Sequence, residues 1–381
     1  MVLGEEQVDH ITRELRSSIT SDGELRLTVE EVGLDAPGPD DVVVRVEAAP
    51  INPSDLPVLL GPADPTTLEV DRTADRPVTR ATIPPQYLGL AQARIGKSLP
   101  LGNEGAGVVV DAGRNVRQLV GKVVSTASGR MYTRYRIVPA AAVLVFPVGV
   151  TPKQAASAFI NPMTALGMLS TMRLEGHTAL VHTAAASNLG QMLNKLCVVD
   201  GVDVVNVVRS SEQAGVLSAL GARYVVNSTG ADFREQLAAA VGATGATLAF
   251  DAVGGGPLAG QILAAMESAL VAKNPPTGPY GSPVHKQIYV YGRLDPSPTT
   301  VPARVGMAWG IGGWLLSYHL ARIGPEATRQ LQARVIDGIT TTFASSYTGE
   351  ISLAEAIEPD IIRAYQRTAT GQKYLIAPFK D

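Results

Sequence analysis

The sequence predicts an α/β protein with a doubly wound parallel sheet and a second, β-rich domain. Between about residues 152 and 300, short apolar runs alternate with segments whose apolar residues recur at helical spacing. Before about residue 155 the chain is instead rich in Val, Gly and Pro, with short runs typical of strands. Alternating strands and helices form βαβ units, whose strands pair in parallel. A chain of 381 residues is long enough for both domains.

The first part of the chain predicts short strands, such as Asp41–Glu47 and Gly105–Asp111. Residues 62–98 break this pattern with several prolines among charged residues and show little periodicity. We interpret them as an irregular insertion, either a functional lid or a surface segment. Towards the end of the chain, the pattern predicts a charged helix over Pro325–Asp337 and a final strand within Gln372–Pro378.

The middle of the chain predicts five strands and four helices in alternation. The strands are Thr178–Thr183, Asp203–Val208, Tyr224–Asn227, Thr247–Asp251 and Gln287–Tyr291. The helices are Leu189–Val198, Glu212–Leu220, Asp232–Val241 and Leu258–Met266. We therefore expect the parallel-sheet domain over residues 156–324, and the β-rich domain over residues 1–155 and 325–381.

Composition excludes several classes of protein. The formal net charge is −3 with charges of both signs interspersed, which argues against a nucleic-acid partner. The one cysteine, Cys197, allows neither an internal disulfide nor a multi-cysteine zinc site. The first 18 residues have no apolar core of signal-peptide length, and glycines interrupt the longest apolar run, Val305–Leu316. We expect a cytoplasmic protein that does not enter a membrane.

A turn of small residues follows the first strand of the parallel sheet. The strand Thr178–Thr183 leads into Ala184-Ala-Ala-Ser-Asn-Leu-Gly190 and then a helix. In a Rossmann domain such a turn lets backbone N–H groups and the helix dipole hold a pyrophosphate. Only the third glycine of G-x-G-x-x-G remains, as Gly190. A tight turn built for packing is the alternative interpretation. The predicted cofactor-binding residues here are Ala185, Ala186, Ser187, Asn188, Leu189 and Gly190.

The end of the second strand bears on the choice of cofactor. Proteins that prefer NAD place an acidic residue there, which holds the ribose 2′-hydroxyl. This chain has Arg209 followed by Ser210 and Ser211. An arginine would pair with a 2′-phosphate, whereas a carboxylate would repel it. We expect Arg209 and Ser210 to bind NADPH; a solvated arginine at a strand end is the alternative.

Five motifs taken in order resemble those of the medium-chain dehydrogenase/reductase superfamily. They are Ala49-Pro-Ile-Asn-Pro-Ser-Asp55, Gly102-Asn-Glu-Gly105, Phe159-Ile-Asn-Pro-Met-Thr-Ala165, Val181-His-Thr-Ala-Ala-Ala-Ser-Asn-Leu-Gly190 and Asp251-Ala-Val-Gly-Gly255. The first and third are similar to the zinc-free branch, the quinone oxidoreductases and 2-enoyl thioester reductases. The resemblance implies a GroES-like catalytic domain around a Rossmann domain, NADP(H) and a homodimer. It also places Val253, Gly254, Tyr291 and Gly292 beside the cofactor.

The chain departs from the zinc alcohol dehydrogenases at the metal-binding positions. Those enzymes have a cysteine in the stretch matching residues 52–55 and a histidine where this chain has Asn103. A catalytic zinc needs three nitrogen, sulfur or carboxylate ligands, and the five histidines of this chain show no shared metal-ligand spacing. We expect no zinc.

Without zinc, a conjugated acceptor is the easier substrate. Hydride added to the β-carbon of an enone, an enoyl thioester or a quinone spreads negative charge into an enolate, which hydrogen-bond donors stabilise. The resemblance implies that Asn52, Asp55 and Thr164 line the catalytic cleft. A turn at Asn52-Pro53 and a hydroxyl near a helix N-terminus at Thr164 are the alternatives.

The proton donor is the least defined part of the predicted site. Related enoyl reductases have a tyrosine soon after the Asn-Pro-Ser-Asp stretch, where this chain reads Gly61-Pro-Ala-Asp64. The next tyrosine is Tyr87, inside the insertion. Either Tyr87 is brought back over the site, or another group or water donates the proton, or the activity is not enoyl reduction. The glycine-rich stretch Gly306–Leu316 predicts either a buried helix or a segment beside the nicotinamide. A catalytically weak NADPH-binding redox sensor or structural protein is the competing function.

Overall fold

The computed structural model describes residues 11–367 and 371–380. Its described residues form two compact units. Unit 1 draws on Met1–Ile160 and Ile336–Asp381, and unit 2 is Asn161–Val335. The boundaries fall inside two helices, α3 (Ile160–Leu174) and α8 (Leu316–Gly338). They lie five residues after the expected boundary at 155 and eleven after the expected boundary at 324.

Five antiparallel strands form the first sheet of unit 1. They are β1 (Ile11–Ile19), β2 (Glu24–Gly33), β4 (Glu69–Asp71), β5 (Val78–Thr82) and β6 (Leu99–Pro100), in the spatial order β4-β5-β2-β1-β6. Two of these strands lie within residues 62–98, so the expectation of an irregular insertion is wrong. The strand β5 buries only Thr79 and Ala81. An alternation carried by a threonine and an alanine gave too weak an apolar pattern to predict a strand.

The second sheet of unit 1 has seven strands and includes the end of the described chain. They are β3 (Asp41–Pro50), β7 (Gly105–Ala112), β8 (Val123–Thr126), β9 (Tyr135–Pro139), β10 (Val143–Val145), β19 (Gly349–Ile351) and β20 (Tyr374–Ile376). The order is β10-β8-β7-β3-β20-β19, with β9 also paired to β3. The helices of this unit are α1 (Leu56–Leu59), α2 (Pro152–Ala155) and α9 (Pro359–Gln366). The strand β20 therefore returns the chain to β3 after all of unit 2.

Unit 2 contains a six-stranded parallel sheet. Its strands are β11 (Leu180–His182), β12 (Val204–Val208), β13 (Tyr224–Asn227), β14 (Leu248–Asp251), β16 (Lys286–Val290) and β18 (Trp309–Gly313). Its other elements are α4 (Asn188–Asp200), α5 (Ser211–Ala219), α6 (Phe233–Thr244), α7 (Leu258–Lys273) and a small parallel pair, β15 (Gly254–Gly256) with β17 (Asp295–Thr299). This mixed architecture confirms the predicted α/β fold class.

The strand order of unit 2 defines where a ligand would bind. The order is β13-β12-β11-β14-β16-β18, so the chain moves outwards from β11 on one side and then crosses to β14 on the other. In open α/β sheets, ligands bind at the carboxyl ends of the strands beside such a reversal. The loops that follow β11 and β14 meet this condition.

The glycine-rich stretch before Leu316 is a strand and not a buried helix. The strand β18 pairs in parallel with β16, and Gly310 lies opposite Gln287. A Cβ atom at Gly310 would lie 2.8 Å from the Gln287 side-chain oxygen, which is the movable end of a flexible side chain. Apolar periodicity could not distinguish a strand from a buried helix here because glycines dilute it.

Among the described residues, none of the helices combines the length and apolar character needed to cross a bilayer.

Candidate functional site

The turn after β11 presents the N-terminus of α4 at the sheet reversal. Ser187 is the N-cap residue of α4, and its hydroxyl accepts the Gly190 N–H at 3.1 Å. The remaining N–H groups of the first turn have no partner within the helix. Together with the helix dipole they make this end of α4 suited to an anion. Asn188 and Leu189, both predicted to bind the cofactor, lie in that first turn, and the helix begins one residue earlier than predicted.

Gly190 brings α4 close to the turn that precedes it. A Cβ atom at this position would lie 2.2 Å from the Ala185 carbonyl oxygen and 2.6 Å from its carbonyl carbon. Only glycine fits there, which is the packing role of the third glycine in a dinucleotide-binding turn. Ala185 and Ala186 are both buried beneath the turn. Ala184 has φ +51°, in the left-handed region that favours glycine.

Asp251 fixes the ends of β11 and β14 to each other. Its carboxylate is fully buried and accepts the Thr183 hydroxyl at 2.7 Å, the Val253 N–H at 2.9 Å and the Gly254 N–H at 3.1 Å. The Thr183 oxygen in turn accepts the Ala252 N–H at 2.8 Å. Val253 and Gly254 were predicted to bind cofactor. In the structure their N–H groups donate to Asp251, so these two residues shape the loop.

Tyr291 is paired with a histidine that sequence reasoning did not assign. The Tyr291 hydroxyl lies 2.8 Å from His182 Nε2, and the two rings stack with centroids 5.7 Å apart. Burial lowers the pKa of His182 to about 3, so the imidazole is neutral at physiological pH. Gly292, which follows, packs against the Ala252 backbone. A polar residue ending the apolar strand β11 was the sequence signal for this pair.

Arg209 follows β12 and is exposed. Its backbone N–H, and not its guanidinium, donates to the Gln213 side chain at 2.9 Å. That guanidinium forms no ion pair with another described residue. Ser210 is the N-cap of α5 and accepts the Gln213 N–H at 3.2 Å. Arg209 and Ser210 thus stand at the carboxyl edge of the sheet, one strand from the α4 turn.

Unit 1 holds a buried polar cluster built on Asn52, Asp55 and Glu104. The two Asp55 oxygens accept the backbone N–H groups of Asn52 and Asn103, each at 2.8 Å. The Asn52 side-chain amide donates to Glu104 Oε1 at 2.9 Å. The other Glu104 oxygen accepts the N–H groups of Phe159 and Ile160, both at 2.9 Å. The turn predicted at Asn52-Pro53 is therefore part of a wider network.

Burial dominates the protonation behaviour of this cluster. It raises the pKa of Asp55 to about 6, against the two backbone hydrogen bonds that lower it. It also raises the pKa of Glu104, while the charge of Lys373 opposes that shift. Burial lowers the pKa of Lys373 to about 8, although both carboxylates favour its charged form. Neither Glu104 nor Lys373 was predicted to be a site residue. Glu104 lies within the Gly102-Asn-Glu-Gly105 motif, and Lys373 lies within the predicted final strand.

Tyr87 is not joined to this cluster. It lies on a 3-10 helix, Pro85–Arg94, and its side chain is 47% exposed. Arg94 at the end of that helix donates to the Pro57 and Val58 carbonyls at 3.0 and 2.6 Å, which fixes the segment to α1. In the part of the chain that is described, no hydrogen bond links the Tyr87 hydroxyl to Asn52 or Asp55.

Thr164 lies in the first half of α3, in unit 2, and is half-buried.

Metal ligands are a separate matter. Within residues 11–367 and 371–380, no group of three or more His, Cys, Asp or Glu side chains could hold a metal ion. Cys197 is buried in α4.

Known proteins resemble this chain both locally and as a whole. The family model "Zinc-binding dehydrogenase" matches residues 189–270. A mitochondrial enoyl-[acyl-carrier-protein] reductase from Xenopus tropicalis is 28% identical over 210 residues, which are 52% of this chain and 51% of that protein. The chain spans about half the length of the curated relatives it matches.

Solved structures extend the likeness over the whole fold. A protein from Mesorhizobium loti, named as an NADPH:quinone reductase, has a TM-score of 0.71 and 26% identity, covering 97% of this chain and 99% of its own. The quinone oxidoreductase of Escherichia coli, solved with NADPH, has a TM-score of 0.68 over 96% of this chain and 100% of its own. Its 17% identity supports the fold alone. The motifs in order, the two-unit architecture and these matches all liken the chain to the medium-chain dehydrogenase/reductase superfamily.

Proposed function

We propose that the protein is an NADPH-dependent, zinc-independent oxidoreductase that transfers hydride to a conjugated acceptor: a quinone, an enone or a 2-enoyl thioester. The observation that carries the proposal is the α4 turn. There a residue with any side chain at position 190 would strike the Ala185 backbone, and the helix N-terminus lies at the sheet reversal. This arrangement suits a dinucleotide pyrophosphate.

The residues of unit 2 fit NADP(H). Ser187 to Gly190 would hold the pyrophosphate, and Arg209 with Ser210 the 2′-phosphate. Asp251 keeps the Val253–Gly254 loop in one conformation through three hydrogen bonds. When bound, the cofactor supplies the hydride. The crystal structures of relatives with NADP or NADPH support this assignment through their shared fold.

The polar cluster of unit 1 suits an acceptor that needs no metal. Asn52 is held by Glu104 and Asp55 and offers a fixed amide, so it can orient a substrate oxygen without reorganising. An acceptor whose charge is delocalised needs only such donors. We therefore favour activated double bonds and quinones over simple ketones, and a cytoplasmic location stays a prediction.

A cofactor-binding protein without catalysis is the second candidate, because the turn lacks two of the three glycines and Tyr87 lies apart from the cluster. Both candidates bind NADPH, and turnover separates them. We expect the purified protein to oxidise NADPH with 1,4-benzoquinone, an α,β-unsaturated ketone or crotonyl-CoA. Tight NADPH binding without oxidation by any of these acceptors would favour the second candidate.

Arg209 provides a direct test of cofactor choice. We expect Arg209→Ala to lower NADPH affinity about tenfold or more, since a charge-assisted hydrogen bond contributes about 1.5–3 kcal/mol. NADH affinity should stay unchanged, because NADH has no 2′-phosphate. Both are measured by fluorescence titration. Arg234→Ala, at an exposed arginine of α6, is the matched control. An unchanged preference for NADPH would mean that another residue binds the 2′-phosphate.

The edge of the parallel sheet supports the expected homodimer. The strand β18 ends the strand order, and Met307, Trp309, Leu315 and Tyr318 beside it are exposed. A charge on an edge strand opposes pairing with another strand. We therefore expect Trp309→Lys to convert a dimer to a monomer in sedimentation velocity. Val148→Lys, at a residue 98% exposed in unit 1, should not. A monomeric wild-type protein would contradict the homodimer.

A further inference from the structure

A tyrosine, a serine and a lysine of unit 1 form a hydrogen-bonded chain that the proposed function has not used. Lys373 Nζ donates to Ser157 Oγ at 2.6 Å. Ser157 Oγ lies 3.0 Å from the Tyr347 hydroxyl. The Lys373 ammonium is also 5.8 Å from the centre of the Tyr347 ring. A proton can therefore pass along three side chains, each within hydrogen-bond distance of the next.

The surroundings hold this chain in place. The Lys373 backbone N–H donates to the Thr348 hydroxyl at 3.1 Å, and its carbonyl accepts the Thr348 N–H at 2.8 Å. These bonds fix the loop that carries Tyr347 to the residue before β20. Ser157 is 1% exposed and Lys373 8% exposed, whereas Tyr347 is half-buried. Tyr347 is thus the least buried member of the chain.

The chain adjoins the polar cluster already described. Ser157 lies two residues before Phe159, whose N–H donates to Glu104. The charged groups that act on Lys373 are Glu104 and Asp55, and both favour its protonated form. The chain and the cluster are therefore neighbours within unit 1 that influence each other through their charges.

We propose that Tyr347 donates the proton that completes reduction of an enone or a 2-enoyl thioester, and that Ser157 and Lys373 resupply it. This proposal rests on the proposed function and names the donor that the sequence left open between Tyr87, another group and water. Tyr347 has a buried lysine and a serine to restore its proton. Tyr87 has no such connection in the described residues.

Each step conserves protons and electrons. Once the β-carbon of an enone or enoyl thioester has received the hydride, the electron pair of its C=C bond forms an enolate. The enolate α-carbon takes the Tyr347 hydroxyl proton, so that a C–H bond forms as the O–H bond breaks. The Ser157 hydroxyl reprotonates the phenolate, and the Lys373 ammonium reprotonates Ser157. Water returns a proton to the lysine amine, so each turnover consumes one hydride and one proton.

Electrostatics support the direction of transfer. Burial raises the pKa of Tyr347, so its hydroxyl keeps its proton at neutral pH. Burial lowers the pKa of Lys373 to about 8, so the ammonium is present below that pH and is lost above it. The nearby ammonium stabilises the phenolate as it forms.

The first experiment separates carbon protonation from hydride transfer. We expect Tyr347→Phe to lower crotonyl-CoA reduction about 10²–10⁴-fold, the usual contribution of a positioned general acid. Reduction of 1,4-benzoquinone should stay close to the wild-type rate, because its reduced oxygens take protons from water. Tyr365→Phe removes another buried hydroxyl of unit 1, bonded to the Ala356 carbonyl at 3.1 Å, and should leave both rates unchanged.

The second experiment tests the role of Lys373 through pH. The wild-type rate of crotonyl-CoA reduction should fall as pH rises above about 8, the pKa of Lys373. Lys373→Arg should lower the rate at every pH and remove this fall, since a guanidinium stays protonated in proteins and cannot pass a proton to Ser157. Side-chain ¹⁵N NMR of lysine-labelled protein gives a readout without turnover, in which one resonance titrates near pH 8 and is absent from Lys373→Arg.

The outcomes distinguish this proposal from the proposed function. Equal crotonyl-CoA reduction by wild type and Tyr347→Phe would overturn the proposal alone, as would a loss on Tyr87→Phe in its place. Quinone reduction without any enone or enoyl reduction would also overturn it, because no carbon would then be protonated. Failure of the wild type with every acceptor would overturn the proposed function and this proposal together.

Discussion

Gly190→Ala is expected to destabilise unit 2 and to abolish measurable NADPH binding. The new methyl group would lie 2.2 Å from the Ala185 carbonyl oxygen and within 2.7 Å of the Ala185 Cα. These are backbone atoms, which cannot rotate away, so either the turn or α4 must move. Overpacking typically costs about 1–3 kcal/mol, and we expect the upper end of that range. Urea denaturation measures the loss, and fluorescence titration measures the affinity.

Gly215→Ala is the matched control for that substitution. Gly215 lies in α5, and a Cβ atom there meets nothing within 4 Å. Alanine is preferred over glycine in a helix by up to about 1 kcal/mol, so this variant should be slightly more stable than the wild type. If Gly190→Ala were equally well tolerated and bound NADPH normally, the close approach of α4 to its turn would have no functional meaning.

Glu104→Gln is expected to cost about 1–3 kcal/mol of stability, because it replaces a buried carboxylate that accepts three N–H groups and leaves a buried polar group without its partner. The amide would also present an NH₂ group towards either the Asn52 side chain or the N–H groups of Phe159 and Ile160, all of which are donors. Loss of the Glu104 charge should lower the pKa of Lys373 further, since that charge favours the ammonium. The alkaline fall in enoyl reduction should then begin at a lower pH.

Glu350→Gln controls for the change from carboxylate to amide. Glu350 pairs with Lys153 at the surface of unit 1, where its side chain is 44% exposed. Exposed pairs contribute about 0–1 kcal/mol, so its loss should barely alter the urea midpoint. A similarly small effect of Glu104→Gln would show that the buried cluster tolerates an amide in place of this carboxylate, and an unchanged alkaline fall would show that the Glu104 charge does not act on Lys373.

Most of unit 2 could be predicted from sequence because its strands are buried on both faces and appear as continuous apolar runs. The strand β12, for example, is fully buried from Val204 to Val208. The strand β18 could not be predicted, since three of its five residues are glycine and its structure depends on pairing with β16. The strand β5 could not be predicted either, because one of its two buried residues is a threonine, which weakens the apolar pattern.

The residues of the candidate site also fall into two groups: those marked by a local sequence motif and those brought together only by the fold. Residues within a local motif, such as Ser187, Gly190 and Asn52, were predicted because their neighbours along the chain carry the signal. Lys373 and Ser157 meet across 216 positions of sequence. No local pattern links them, and only the return of the chain through β20 brings the lysine to the serine. Asp251 belongs to one of the sequence motifs. Its hydrogen bond with Thr183 could not be predicted from that motif, because it depends on the order of the strands in the sheet.

The return of β20 to β3 has a consequence for how the protein is made. The ribosome produces residues 161–335 without interruption, so unit 2 can begin to fold during synthesis. The partner of β3 on that side, Leu375 with Ile376, emerges only after all of unit 2. We therefore expect the Ala49–Pro50 end of β3 to stay unpaired until then, open to pairing with other nascent chains. The same late segment carries Lys373, so the chain of Tyr347, Ser157 and Lys373 would be among the last contacts to form.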